Sequence, residues 1–235
     1  MNLDLKSEKI NYLKPVFKRR FTREETAEVI VPDALPDILR IIETDGVPLM
    51  RSKDSDSGRA SVAGVIEGAV LYVPESGNNI CHIDINIPFS AVADDANILP
   101  DCLISAKVTL NSAESKTINP RKILVKAEII CEMSCFIPQE MYNSSYADSD
   151  TIYQKTCDVS LRLASSVNEK TFIFTDSLKI PSDIPQIGDV LKTSVSLYCE
   201  DIKPVGNKAV IKGHANTNML VSSGEENQLR ECSFQ

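Results

Sequence analysis

The sequence predicts a mainly β protein: two tandem related β-sandwich or barrel-like domains, each with one short Pro-started helix. Three observations predict it. The stretch Val31-Pro32-Asp33-Ala34-Leu35-Pro36-Asp37-Ile38 recurs as Ile180-Pro181-Ser182-Asp183-Ile184-Pro185-Gln186-Ile187. An offset of 149 relates Pro32 to Pro181, Pro36 to Pro185 and Gly64 to Gly213, and holds without a gap to Leu71 and Leu220. A register kept through two prolines and a glycine marks an internal repeat. Beyond each copy, apolar and polar residues alternate with a period of two, as half-buried strands require. Polar Gly/Asn/Asp/Ser clusters separate the alternating runs and read as turns.

In order along the chain, residues 1–23 carry seven basic groups and two acidic ones, a basic arm on a chain of net charge −8. Within it, Val16, Phe17 and Phe21 predict that part of the arm packs. In the repeated motif the first proline ends an extended segment and the second opens a helix, where its missing N–H is harmless. Ile38, Ile41 and Ile42 would share one helical face, as would Ile187, Val190 and Leu191. Asp45-Gly46 reads as a turn closing that helix, and Val47–Lys53 as a strand.

Ala60–Val73 is the longest predicted strand, with Val62, Gly64, Ile66, Gly68, Val70 and Tyr72 on one face. Its other face is also largely apolar, whereas the repeat counterpart presents Lys212, His214, Asn216 and Asn218 there. The first repeat's sheet is therefore expected to be covered on both faces and the second's on one. Glu75–Asn79 is a turn, and Ile80–Phe89 is a strand that places Ile83, Ile85 and Ile87 together. Pro88 suits an edge. Ile104, Ala106, Val108, Leu110 and then Ile123, Val125, Ala127, Ile129 form a long hairpin with its tip at Asn119-Pro120-Arg121-Lys122. The domains are expected at 1–136 and 157–235, joined by a polar linker at 137–156. The second repeat, whose strand Leu229–Phe234 answers Ile80–Phe89, has no counterpart of the hairpin, so a truncated chain with an open sheet edge is expected.

Composition narrows the function. An acidic chain argues against a general nucleic-acid binder, and no apolar run is long enough for a membrane helix. The first residues lack an apolar signal core, which argues against export. Seven scattered cysteines fit buried free thiols in a reducing compartment. The spacing Cys131-x-x-x-Cys135 is not that of a paired zinc knuckle, and no metal or cofactor is expected. His82 and His214 lie in alternating strands without a surrounding catalytic motif, Asp94-Asp95 and Glu225-Glu226 lie in loops, and no Gly-rich phosphate loop is present. The chain is expected to be no enzyme.

Four blocks carry a resemblance: Val31-Pro32-Asp33 with Pro36-Asp37-Ile38, Gly64-Val65-Ile66-Glu67-Gly68 with Leu71-Tyr72-Val73, Ile87-Pro88-Phe89-Ser90, and Ile118-Asn119-Pro120-Arg121-Lys122-Ile123. Their order and spacing resemble the SPOCS domain, the spore coat assembly domain of endospore-forming Firmicutes, closely over 28–135 and more loosely over 178–235. Pro120 stands where that family more often has a small polar residue. The resemblance implies a non-enzymatic morphogenetic scaffold at the forespore surface, in the mother-cell cytoplasm. It would connect a polymerising SpoIVA-type ATPase to other coat morphogenetic proteins. Relatives often carry a C-terminal LysM domain; no LysM-like segment is present here, as in a fragment. Candidate protein-binding residues are Arg121 and Lys122 at the hairpin tip and Arg19 and Arg20 in the arm. Strand addition at a sheet edge is the other binding mode. The competing class is a carbohydrate- or envelope-binding β-module, ranked second because Trp is absent and aromatic residues make up 6%.

Overall fold

The computed structural model describes residues 5–77, 79–147, 153, 155, 157–171, 173–177, 179, 187–206, 208–223 and 228–234. Nine strands run through them: β1 (Leu5–Ile30), β2 (Ile38–Asp56), β3 (Arg59–Pro74), β4 (Cys81–Asp94), β5 (Leu103–Asn119), β6 (Lys122–Ala147), β7 (Ile187–Val205), β8 (Lys208–Ser223) and β9 (Gln228–Phe234). They form three antiparallel sheets of three strands, ordered β1-β6-β5, β2-β3-β4 and β7-β8-β9.

The first two sheets enclose one core. Val62, Ile66, Val70 and Tyr72 of β3 and Ile83, Ile85, Ile87 and Phe89 of β4 meet Val125, Ala127, Ile129, Cys131 and Met133 of β6 in a single buried cluster. The period-two pattern selects these residues, since alternate side chains point to one side of a pleated strand. The sheets are also tied along both flanks. Between β2 and β5, Thr44 Oγ1 donates to Ser115 Oγ at 2.7 Å, and Lys53 Nζ donates to the Ile104 carbonyl at 3.4 Å. Between β1 and β4, the Arg23 guanidinium donates to the Val92 carbonyl at 3.1 Å, and Glu25 accepts from the Ser90 amide at 3.4 Å. The β1 side chains thus occupy the backbone edge of β4 that would otherwise invite strand addition. Pro88 lies in β4, an edge strand, as its missing N–H requires.

The predicted helix is absent among the described residues. Ile38, Ile41 and Ile42 begin β2, and Ile187, Val190 and Leu191 begin β7. The second motif's residues 181–186 lie outside the described residues. The apolar spacing that imitates a helix comes from irregular pairing. Register shifts fall between Ile38 and Arg40 and between Ile41 and Glu43. Each bulge inserts one residue and flips the parity of the positions beyond it. Two inward positions can then stand three residues apart: Ile38 is buried and Ile41 packs on the core, while Leu39 and Ile42 are exposed. Asp45-Gly46 is likewise no turn but the middle of β2, where Gly46 faces Gly68. Residues 137–147, expected to begin a linker, extend β6 and pair with β1.

The offset of 149 recurs in the backbone. Added to the bounds of β2 and β3, it gives those of β7 and β8. The bulges at Ile41/Glu43 and Met50/Ser52 reappear at Val190/Lys192 and Cys199/Asp201. The β8–β9 pairing keeps the β3–β4 register, which places Phe234 where Ile85 stands rather than where Phe89 does.

The expected covering of the sheets is met differently in the two repeats. The outer face of β2-β3-β4 receives the start of β7, where Leu71 and Leu191 are both buried. There Lys192 Nζ bridges Glu43 at 2.6 Å and Asp45 at 2.8 Å. The third sheet has neither face fully covered: exposed residues include Tyr198 on its polar side and Leu197 on the other.

Candidate functional site

The hairpin tip is a two-residue turn, Pro120-Arg121, between β5 and β6. Proline at the first turn position presets φ, and Asn119 Oδ1 accepts the Arg121 amide at 2.9 Å. The Arg121 side chain folds back onto the loop before β2. One guanidinium nitrogen donates to the Leu35 carbonyl at 2.7 Å and to Asp37 Oδ1 at 2.9 Å. The other donates to the carbonyls of Val31 at 3.1 Å and Pro32 at 3.0 Å, and lies 3.3 Å from Asp33 Oδ1. The backbone adds Val31 N to Arg121 O and Ile38 N to Pro120 O, each 2.9 Å. The planar fork of arginine suits such a set of acceptors. The first and last of the four sequence blocks are therefore one structural node. Arg121, expected to offer its donors to a partner, uses them inside the molecule.

Tyr72 completes the node from below. Its hydroxyl donates to the Pro36 carbonyl at 2.9 Å. Burial, reinforced by the neighbouring Cys81, pushes its pKa up to about 12 from 10.0. Its neutral form is thus favoured by folding: the stabilisation is complete below pH 10 and is lost as pH rises toward 12. Urea titrations from pH 9 to 12 are expected to show a steep alkaline loss of stability. Tyr72→Phe should flatten the part of that loss due to this phenol, at a cost of about 1 kcal/mol at neutral pH from the unpaired carbonyl. An unchanged alkaline slope in Tyr72→Phe would refute this assignment.

The other predicted residues separate. Lys122 Nζ pairs with Glu28 at 2.5 Å on the β1–β6 surface. The Arg19 guanidinium stands 5.9 Å from the centre of the Phe17 ring. Arg20 Nε is 3.7 Å from Glu132 Oε1, both side chains more than half exposed. Arg19 and Arg20 line a shallow furrow of about 560 Å³ with Lys18, Lys107, Ser105 and Ser134. Lys18, Arg20 and Lys107 share the outer face with Glu132, whereas Arg19 follows the alternation of Phe17 to the other face, and three cations around one acid make the furrow basic on a chain of net charge −8. Lys107 was not legible as a site residue. Its strand alternation puts it opposite Ala106 and Val108, but only the β5–β6 pairing of Lys107 with Glu132 brings it beside Arg20.

The remaining candidates stand apart from the node and the furrow. Cys131 and Cys135 point into the core, where burial raises both thiol pKa values, that of Cys135 to about 11. Among the described residues, no group of three metal-ligating side chains converges. His82 Nε2 is 4.0 Å from Asp84 Oδ1. His214 Nδ1 is 2.7 Å from Glu200 Oε1, and its ring stacks on Tyr198 with centroids 5.1 Å apart. Glu225-Glu226 lies outside the described residues. Among those described, no helix is long and apolar enough to cross a membrane.

Fold and furrow together define a mainly β domain whose accessible chemistry is a shallow, charged surface. The family model described as SipL, SPOCS domain matches residues 37–118, so this part of the chain is a SPOCS domain. The match spans β2, β3 and β4 and nearly all of β5; β1, β6 and Arg121 lie outside it. No curated protein matches the chain. No solved structure matches it either.

Proposed function

We propose that this chain is a non-enzymatic protein-binding adaptor in spore coat and cortex morphogenesis, acting in the mother-cell cytoplasm at the forespore surface. The SPOCS domain at 37–118 supports a sporulation-related, protein-interacting role. The basic furrow of Lys18, Arg20 and Lys107 carries the reading further. It fits an acidic segment of another morphogenetic protein, a SpoIVA-type ATPase first. The binding module runs through the end of β6 at Ala147, and 157–235 are a second, related module.

The test is binding of the purified chain to the purified SpoIVA-type ATPase, with Lys18→Glu/Arg20→Glu/Lys107→Glu beside it. These side chains are peripheral, so the variant is expected to fold and to bind at least about tenfold more weakly. Wild-type affinity should also fall as salt rises. Equal binding by both proteins would remove the furrow from the account; no binding by either would remove the ATPase.

One observation favours a second reading, carbohydrate or cell-envelope binding. The Tyr198–His214 stack lies near Ser196, Asn216 and Asn218 on the third sheet, a ring beside polar groups. Glycan binding that survives high salt and is lost in Tyr198→Ala would select it.

A further inference from the structure

The two repeats meet through equivalent positions. Lys192 stands at the offset of 149 from Glu43, and its Nζ binds Glu43 at 2.6 Å and Asp45 at 2.8 Å. Leu191, the counterpart of Ile42, is 3% exposed and shares the same seam with Leu71, 4% exposed. The start of β7 is thus set against β2, the strand that it repeats. A cleft of about 270 Å³, lined by Gly46, Gly68 and Val195 among others, remains between them. Close packing along the seam is therefore incomplete, and charge has a large share in choosing what docks there.

The charges differ between the repeats at the positions that meet. The first repeat presents Glu43 and Asp45; the second presents Lys192 and Ser194 there. Two first repeats joined in this way would set carboxylates against carboxylates, and two second repeats would set Lys192 against Lys192. Unlike repeats instead place one cation between two carboxylates. Like charges juxtaposed at an interface suppress the wrong partner. Glu67, a further acid of the cleft, is held by Arg51 at 2.9 Å and leaves Lys192 to the other two. The connecting chain is tied to the first repeat as far as Glu169, by the bridge of Leu13 to Ala164 and the pair of Lys53 with Glu169. Residues 170–186 then span at most about 60 Å, enough for β7 to reach the seam of its own chain or that of a neighbouring copy.

We propose that this seam is a charge-keyed recognition site for the second repeat, with Lys192 as the key and Glu43 and Asp45 as the residues that select it. The seam joins a first repeat to a second and rejects pairing of like repeats. It does so within one chain and, by exchange of second repeats, between two copies. The seam is distinct from the basic furrow, and the inference does not depend on the acidic-partner reading.

The test uses the whole chain in three variants: Glu43→Lys/Asp45→Lys, Lys192→Glu, and the two sets combined in one chain. Each of the first two sets like charges across every available seam. Amide exchange over 187–193 is therefore expected to quicken at least about tenfold in both, and both should stay monomeric. The combined variant restores opposite charges and should recover wild-type exchange; because it carries all three substitutions, that recovery also excludes misfolding as the cause. An equimolar mixture of the first two variants offers opposite charges between chains alone. Light scattering of the mixture should find a one-to-one dimer, with slow exchange restored. Lys203→Glu, which reverses a charge paired with Asp201 away from the seam, should exchange as wild type does. Unchanged exchange in Lys192→Glu, or no recovery in the combined variant, would overturn the key. A mixture that stays monomeric would overturn pairing between copies.

Discussion

Arg121→Ala is expected to lower the stability of the first repeat by about 3 kcal/mol, a fall in Tm on the order of 10 °C. The substitution removes donors to three backbone carbonyls and two carboxylates at once. The side chain is only 34% exposed, so water replaces those partners incompletely. Asp33 and Asp37 would then sit close together without their shared cation. Arg121→Lys keeps the charge but loses the fork, and should recover less than half of the deficit. Differential scanning calorimetry of the three proteins checks this. A shift in Arg121→Ala no larger than that of a surface control such as Arg51→Ala would show that the node does not hold the loop. Because the node, rather than the furrow, carries Arg121, partner binding by any folded Arg121→Lys should match wild type.

Gly68→Ala is expected to be comparably damaging, through the opposite physical cause. Gly68 and Gly46 face each other across β2 and β3, and a Cβ on Gly68 would lie 2.6 Å from the Gly46 Cα and collide with the Asp45 carbonyl oxygen. Both obstacles are backbone, so no rotamer change relieves them, and β2 must move away from β3. A loss of about 3 kcal/mol, at the upper end of the overpacking range, is expected in urea denaturation. Gly64→Ala meets the Leu49 carbonyl and the Phe89 ring, 2.7 Å away. Gly213→Ala meets the Tyr198 carbonyl in the same way. Yet among the described residues the buried core cluster includes no residue of β7 or β8. Gly213→Ala should therefore loosen β7–β8 exchange while leaving the unfolding transition of the first repeat in place. If Gly68→Ala unfolds within a few tenths of a kcal/mol of wild type, the close approach of β2 to β3 is not required.

These two sites show how far the chain could be read before it was folded. Gly64 and Gly213 stood out because they keep the offset of 149, but nothing in the sequence says that a carbonyl approaches each of them. Arg121 stood out as a cation at a hairpin tip, and the tip is real. Its destination, a loop 84 to 90 residues earlier, depends on how the hairpin packs over β2. The furrow was half legible. Arg19 and Arg20 belong to a charged run, whereas Lys107 joins them only through the pairing of β5 with β6.

The sequence by itself determined the strands that alternate cleanly, the hairpin at Pro120-Arg121 and the relation between the repeats, because a period of two and a fixed offset are one-dimensional facts. Tertiary structure decided the opening of β2 and the use of each charge. The bulges at Ile38/Arg40 and Ile41/Glu43 space apolar residues as a helix would, and only pairing with β3 distinguishes the two. Whether an arginine meets solvent, a partner or its own backbone is set by which acceptors the fold brings within about 3 Å, a distance that sequence separation does not encode.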